Sequence, residues 1–130
     1  MIGYGRVGKI LADRLKALGA FVTVSARKPK DFAMISALGF DYISTNSLNR
    51  ENLSYDIIFN TVDVNVIEKS KLKDLKCGLM IDLSTFGGFD LEYANECGIK
   101  AFKAPALPMK TAMRTAAEIL FETVTQIINS

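Results

Sequence analysis

Short apolar runs alternate with amphipathic stretches along the chain, the pattern of an α/β domain whose parallel strands are joined by helices. Val7, Ile10, Leu11, Leu15 and Leu18 recur at steps of three and four, which predicts a helix with an apolar stripe, ended by Gly19. Residues 20–25 (AFVTVS) are rich in β-branched side chains and predict a strand. Asp31 stands where it can cap a short helix over residues 32–38, closed by Gly39, and residues 41–44 form a weak strand. Residues 55–62 (YDIIFNTV) and 78–84 (GLMIDLS) are continuous apolar runs, which predicts strands covered on both faces, with a helix over about residues 66–75 between them. Gly87 and Gly88 turn the chain into a helix over residues 90–96, and residues 99–103 make a last strand. Pro105 and Pro108 hold an extended connection to a terminal helix over residues 110–128, with Ala117, Leu120, Phe121, Val124, Ile127 and Ile128 as its buried stripe.

With 130 residues, 49% hydrophobic and 23% charged, the chain fits a single core. The net charge of +2 is too balanced for a general nucleic-acid or membrane-surface binder, and no apolar run reaches the ~20 residues that span a bilayer. The charge is unevenly placed, however. Residues 1–30 hold the bases Arg6, Lys9, Arg14, Lys16, Arg27, Lys28 and Lys30 against the single acid Asp13, so an anionic ligand is expected there. Cys77 and Cys97 lack metal-type spacing and no signal-peptide pattern precedes them, which predicts a reduced, cytoplasmic protein with no metal. The absence of histidine removes Ser/His/Asp and Cys/His nucleophile systems and the common zinc sites.

The opening MIGYGRVG sets Gly3, Gly5 and Gly8 in GxGxxG spacing directly before the first helix. Gly3 permits the strand-to-helix turn, Gly5 lets backbone approach a pyrophosphate, and Gly8 lets the helix pack closely on the sheet. A pyrophosphate would rest on free N–H groups at the helix start, where the macrodipole favours an anion. Tyr4, Arg6 and Val7 fill the variable positions of this loop, and Arg6 is placed to touch a phosphate. NAD binders usually end the second strand with an acid for the ribose hydroxyls, whereas here it ends Ser25-Ala26-Arg27-Lys28. Ser25 can donate to a 2′-phosphate, Arg27 can pair with it bidentately and Lys28 adds charge, so NADP is expected over NAD.

In open α/β sheets ligands cross the carboxyl ends of the strands. That sets Asn60, Thr61 and Val62 near the nicotinamide ribose, followed by Asp82, Leu83, Ser84 and Thr85. A buried acid satisfied by neighbouring N–H groups is the competing reading for Asp82. No residue is assigned as catalytic; Lys110 and Arg114 are placed either to face an anionic ligand or to be exposed on a helix.

The segments GYGRVGKILADRLKALGA, VSARK, DIIFNTV, MIDLSTFGG, GIKAFKAPALP and KTAMRTAAEIL resemble the C-terminal NAD(P)-binding domain of the family formed by the A subunits of dipicolinate synthase. The segment ALPMKTAMRTAAEIL looks like that family's GLPGKxAPxTAGxIL. The resemblance implies one part of an NADP-dependent oxidoreductase that oxidises a dihydrodipicolinate-pathway intermediate to pyridine-2,6-dicarboxylate, the acid of bacterial spores. It implies a small dicarboxylate substrate and a flavoprotein-like second subunit; self-association is expected as well. It carries a cofactor role to Gly3, Tyr4, Gly5, Arg6, Val7, Gly8, Ser25, Arg27, Lys28, Asn60, Thr61 and Val62. The chain departs from the family pattern at Asp63 and Met113, where proline is usual, at Phe86, and at Ala106, Met109 and Ala117, where glycine is usual. An extra carboxylate at Asp63 opposes a dicarboxylate unless it points away.

Only Met1 and Ile2 precede the glycine turn, whereas a Rossmann first strand needs ~5 or 6 residues. In the order 3-2-1-4-5-6 that strand is central, so its neighbours are expected to lack partners along their facing edges. The expectation is a Rossmann-like, doubly wound parallel sheet with a truncated first strand. It forms one NAD(P)-binding domain over residues 1–130, the C-terminal part of a longer chain and inactive alone. The alternatives are a non-catalytic regulatory dinucleotide-binding module and the cofactor domain of a 2-hydroxyacid dehydrogenase-like enzyme.

Overall fold

The computed structural model describes residues 1–104 and, of the segment that follows, residues 114, 115, 118, 121, 122 and 124–126, all helical. Pro105, Pro108, Lys110 and, from the expected terminal stripe, Ala117, Leu120, Ile127 and Ile128 lie outside the described residues. In chain order the elements are α1 (Arg6–Ala17), β1 (Thr23–Ala26), α2 (Pro29–Ala37), β2 (Asp41–Ser44), a 3-10 turn (Thr45–Ser47), β3 (Ser54–Asn60), α3 (Lys69–Leu72), β4 (Lys76–Asp82), α4 (Leu91–Glu96) and β5 (Lys100–Lys103).

β1 pairs with β2, and β3, β4 and β5 form a second ladder, all parallel. The first three residues join the two ladders. Ile2 N–H donates to Phe59 O at 2.7 Å and Thr61 N–H donates to Ile2 O at 3.0 Å. On the other edge Ser25 N–H donates to Met1 O at 2.8 Å and Gly3 N–H to Ser25 O at 3.2 Å. The order is therefore β2, β1, residues 1–3, β3, β4, β5, a Rossmann-like sheet with a shortened central strand. The expected loss of pairing between β1 and β3 is thus only partial. Where the strand is short, Phe21, Thr23, Tyr55, Ile57 and Cys77 flank an open cleft of about 950 Å³.

Ala12, Val24, Ala26, Ile35 and Phe40 form the core under α1 and α2. Ile58, Met80 and Ala101 from the other ladder meet Ile67, Leu72, Leu75, Ala94 and Ile99. Several expected details differ. α1 buries Gly8 and Ala12, while Val7, Ile10 and Leu18 of the predicted stripe are exposed, because close packing at Gly8 brings the smallest residues against the sheet. α2 starts at Pro29 with Lys28 as N-cap, and Asp31 lies inside the first turn, since proline already holds the φ that a first helical residue needs. α3 is shorter than expected because the preceding residues are tied as a loop by Asn49, which accepts from Glu68 N–H at 2.9 Å and donates to Val66 O at 3.1 Å.

β1 starts later than the run AFVTVS suggests, and β3 and β4 end at Asn60 and Asp82, before the expected Val62 and Ser84. Register sets Ile57 beside Leu79, and Ile81 between Phe59 and Phe102, on one face of the sheet. Ile57 and Phe102 on that face are exposed, whereas Ile58 and Met80 on the other are buried. Among the described residues, cover is therefore on one face where two were expected. No described helix is long and apolar enough to cross a membrane.

Candidate functional site

The turn between residues 1–3 and α1 uses its glycines in three ways. Gly3 has φ +98°, and a Cβ there would meet Thr61 Oγ1 at 2.6 Å and Val62 Cγ1 at 2.7 Å. A Cβ on Gly8 would stand 2.3 Å from Gly3 O, so the helix rests directly on the turn. At Gly5, the N-cap of α1, a Cβ would meet nothing within 4 Å. No side chain caps this helix and no acid stands in its first turn. Among the described residues, its first N–H groups at the positive dipole end therefore have no side-chain acceptor. Arg6 and Val7 are exposed beside it, but Tyr4 packs its ring against the core, with the Lys9 ammonium 4.9 Å from the ring centroid.

At the end of β1, Arg27 and Lys28 are exposed, while Ala26 is buried. Ser25 is also buried, 1% exposed, and its hydroxyl oxygen accepts from Gly3 N–H at 3.4 Å and Thr45 Oγ1–H at 3.3 Å. The Ser25 hydroxyl thus braces the glycine turn from beneath, while Arg27 and Lys28 are the exposed members of the set.

The ends of β3 and β4 form a closed polar network. Asp82 and Asn60 are both fully buried. Asp82 Oδ1 accepts from Asn60 Nδ2 at 2.8 Å, Ser84 N–H at 3.0 Å and Ser84 Oγ at 2.6 Å, and Oδ2 accepts from Gly88 N–H at 2.8 Å. Asn60 also donates to Val62 O at 2.8 Å and accepts from Val62 N–H at 3.3 Å. The side chains of Asn60, Asp82 and Ser84 are thus fully engaged inside the protein and support the crevice from behind. Thr61, Val62 and Leu83 are the half-exposed members of the expected set here, and the Thr61 hydroxyl donates to Ile2 O at 3.0 Å.

Burial alone would raise the Asp82 pKa, but hydrogen bonds from Ser84, Asn60 and Gly88 outweigh it and hold the carboxyl below its ordinary value. A folded-state pKa below the unfolded one means stability that is present in full above the unfolded value, about 4, and lost as pH falls through the folded value. The stability advantage of the parent over Asp82→Asn, read as the difference between their urea midpoints, is expected to be level from about pH 7 to 5 and to shrink below about 4.

Sequence reasoning missed several supporting residues. A Cβ on Gly88 would lie 1.8 Å from Asn60 Nδ2, and Lys103 Nζ donates to Thr85 O at 2.8 Å. The GG pair marks a turn, but its packing on Asn60 depends on a register that spacing does not encode. Arg114 is exposed and pairs with Glu118 at 3.0 Å, while Lys110 lies outside the described residues. Among the described residues no group of His, Cys, Asp and Glu is arranged to hold a metal.

No family model matches the chain. The A subunit of dipicolinate synthase from Bacillus subtilis (strain 168) is 34% identical over 130 residues, covering 98% of this chain and 44% of that protein. The crystal structure of the same synthase's A chain from Bacillus subtilis superposes with a TM-score of 0.92 over 98% of this chain and 44% of that one, at 34% identity. That of the A subunit from Bacillus halodurans gives 0.90 over 99% of this chain and 45% of that one, at 32% identity. The chain spans less than half the length of these relatives. Along nearly its whole length the chain is similar in sequence and fold to part of the dipicolinate synthase A subunits.

Proposed function

We propose that the chain is the cofactor-holding part of an oxidoreductase of the dipicolinate synthase type, binding NADP(H) in preference to NAD(H). The observation that carries this reading is the uncapped start of α1 above Gly5, where no atom of the described residues would meet a side chain within 4 Å and a pyrophosphate would rest. The N–H groups of Arg6 and Val7 would hold the pyrophosphate. Exposed Arg27 and Lys28, with no acid at the end of β1, would hold a 2′-phosphate. Thr61, Val62 and Leu83 would line the place of the nicotinamide at the strand ends. When bound, the dinucleotide supplies hydride transfer, and the chain contributes orientation and electrostatics.

The kinship extends the proposal to a small dicarboxylate related to pyridine-2,6-dicarboxylate as substrate, in a sporulation pathway of the cytoplasm. The relatives' name designates one subunit of a synthase, which supports a second subunit as partner; we take that subunit as flavoprotein-like and add self-association. NADPH fluorescence titration tests the cofactor reading. NADPH is expected to bind about tenfold or more tightly than NADH, the worth of one charge-assisted hydrogen bond to the 2′-phosphate. Arg27→Ala should remove most of that difference with little change for NADH, and tighter binding of NADH by the parent chain would sink NADP preference.

A further inference from the structure

Asp63 follows the end of β3, and its side chain ties that end to the loop after β4. A single carboxylate oxygen, Oδ1, accepts the successive N–H groups of Thr85 and Phe86 at 2.6 and 2.9 Å. The next two N–H groups are also taken: Gly87 donates to Ser84 Oγ at 3.1 Å and Gly88 to Asp82 Oδ2 at 2.8 Å. Lys103 Nζ holds the same loop from another strand through Thr85 O at 2.8 Å. The loop is fixed from two sides at the carboxyl end of the sheet, with Phe86 84% exposed at its tip. Successive backbone N–H groups converging on one point form an anion-binding concavity, and here the anion is the chain's own.

We propose that Asp63 determines how a carboxylate-bearing substrate docks, by filling the Thr85–Phe86 amide pair with its own carboxylate. A substrate carboxylate brought to that pair would share its donors with a second negative charge, which disfavours the charged form of both. The substrate therefore turns a neutral edge towards the loop and directs its carboxylates elsewhere. The identity of the ligand as a substrate rests on the function proposed above. The anion place itself does not, so it is tested without cofactor.

The experiment follows the amide resonances of Thr85 and Phe86 in the ¹⁵N-labelled 130-residue chain during titration with pyridine-2,6-dicarboxylate, with uncharged pyridine as control. In the parent chain neither resonance is expected to move. In Asp63→Ala both should move with the dicarboxylate and not with pyridine, at about tenfold or lower concentration than any effect in the parent, the worth of one charged hydrogen bond. Asp63→Asn retains an acceptor oxygen without the charge, so it should keep the loop's hydrogen-exchange protection while admitting the dicarboxylate more weakly than alanine does. Equal responses in parent and Asp63→Ala would overturn the proposal, as would an alanine variant that loses protection without responding to the anion. NADPH affinity, measured on the same three proteins, should be the same for all. Its absence in all three would remove the cofactor reading and leave the anion result standing.

Discussion

Asp82→Ala is expected to destabilise the fold by about 3–5 kcal/mol, measured as a fall in the urea midpoint at pH 7 with an unchanged slope. The carboxylate accepts four hydrogen bonds in a site with no exposed surface. After truncation Asn60 Nδ2 still has Val62 O, and the Ser84 hydroxyl can rotate, but the N–H groups of Ser84 and Gly88 lose their acceptor. A buried donor left without a partner costs about 1–3 kcal/mol, and two of them with a small cavity bring the total into the stated range. Asp82→Asn keeps the shape but must turn its own N–H₂ towards existing donors on one side, so about half the effect is expected. A change within about 0.5 kcal/mol in the alanine variant would show that water fills the network and that its hydrogen bonds are not what fixes the loop.

The glycine turn and the parallel order of strands are legible from spacing, because GxGxxG, a helix and a β-branched run in succession leave few arrangements open. The roles of individual polar side chains are less so. Ser25 stands at the expected point in the chain, yet strand alternation and the pull of Gly3 N–H turn it inward, and only the next exposed residues, Arg27 and Lys28, face solvent. Asn60 and Asp82 come together at equivalent positions on paired strands, as the register between β3 and β4 confirms. Their use of each other as partners is a tertiary fact, since it depends on Gly88 arriving without a side chain. The stripe of α1 misleads for a physical reason. In the sequence, apolar size marks the buried face, whereas contact between helix and turn selects Gly8 and Ala12, the residues that allow the closest approach.

The difference between Gly5 and Gly8 separates fold from binding. A methyl group on Gly8 would lie 2.3 Å from Gly3 O and 3.2 Å from Thr61 Oγ1, and the nearer contact is backbone, which cannot swing aside. The start of α1 must then lift away from the turn, disturbing Gly3 and the pairing of residues 1–3 with β1 and β3. Gly8→Ala is therefore expected to lower the thermal midpoint and to weaken NADPH about a hundredfold. That factor corresponds to two backbone hydrogen bonds to a charged group, each worth ~1.5 kcal/mol. Gly5→Ala meets no atom within 4 Å and sits at an N-cap with φ −82°, so circular dichroism and the thermal midpoint should stay close to the parent's. Its methyl would instead project into the space assigned to the pyrophosphate, and NADPH should weaken by about tenfold or more with the fold intact. If Gly5→Ala binds NADPH as the parent does, no ligand passes over that turn, and the turn's role is to seat the helix.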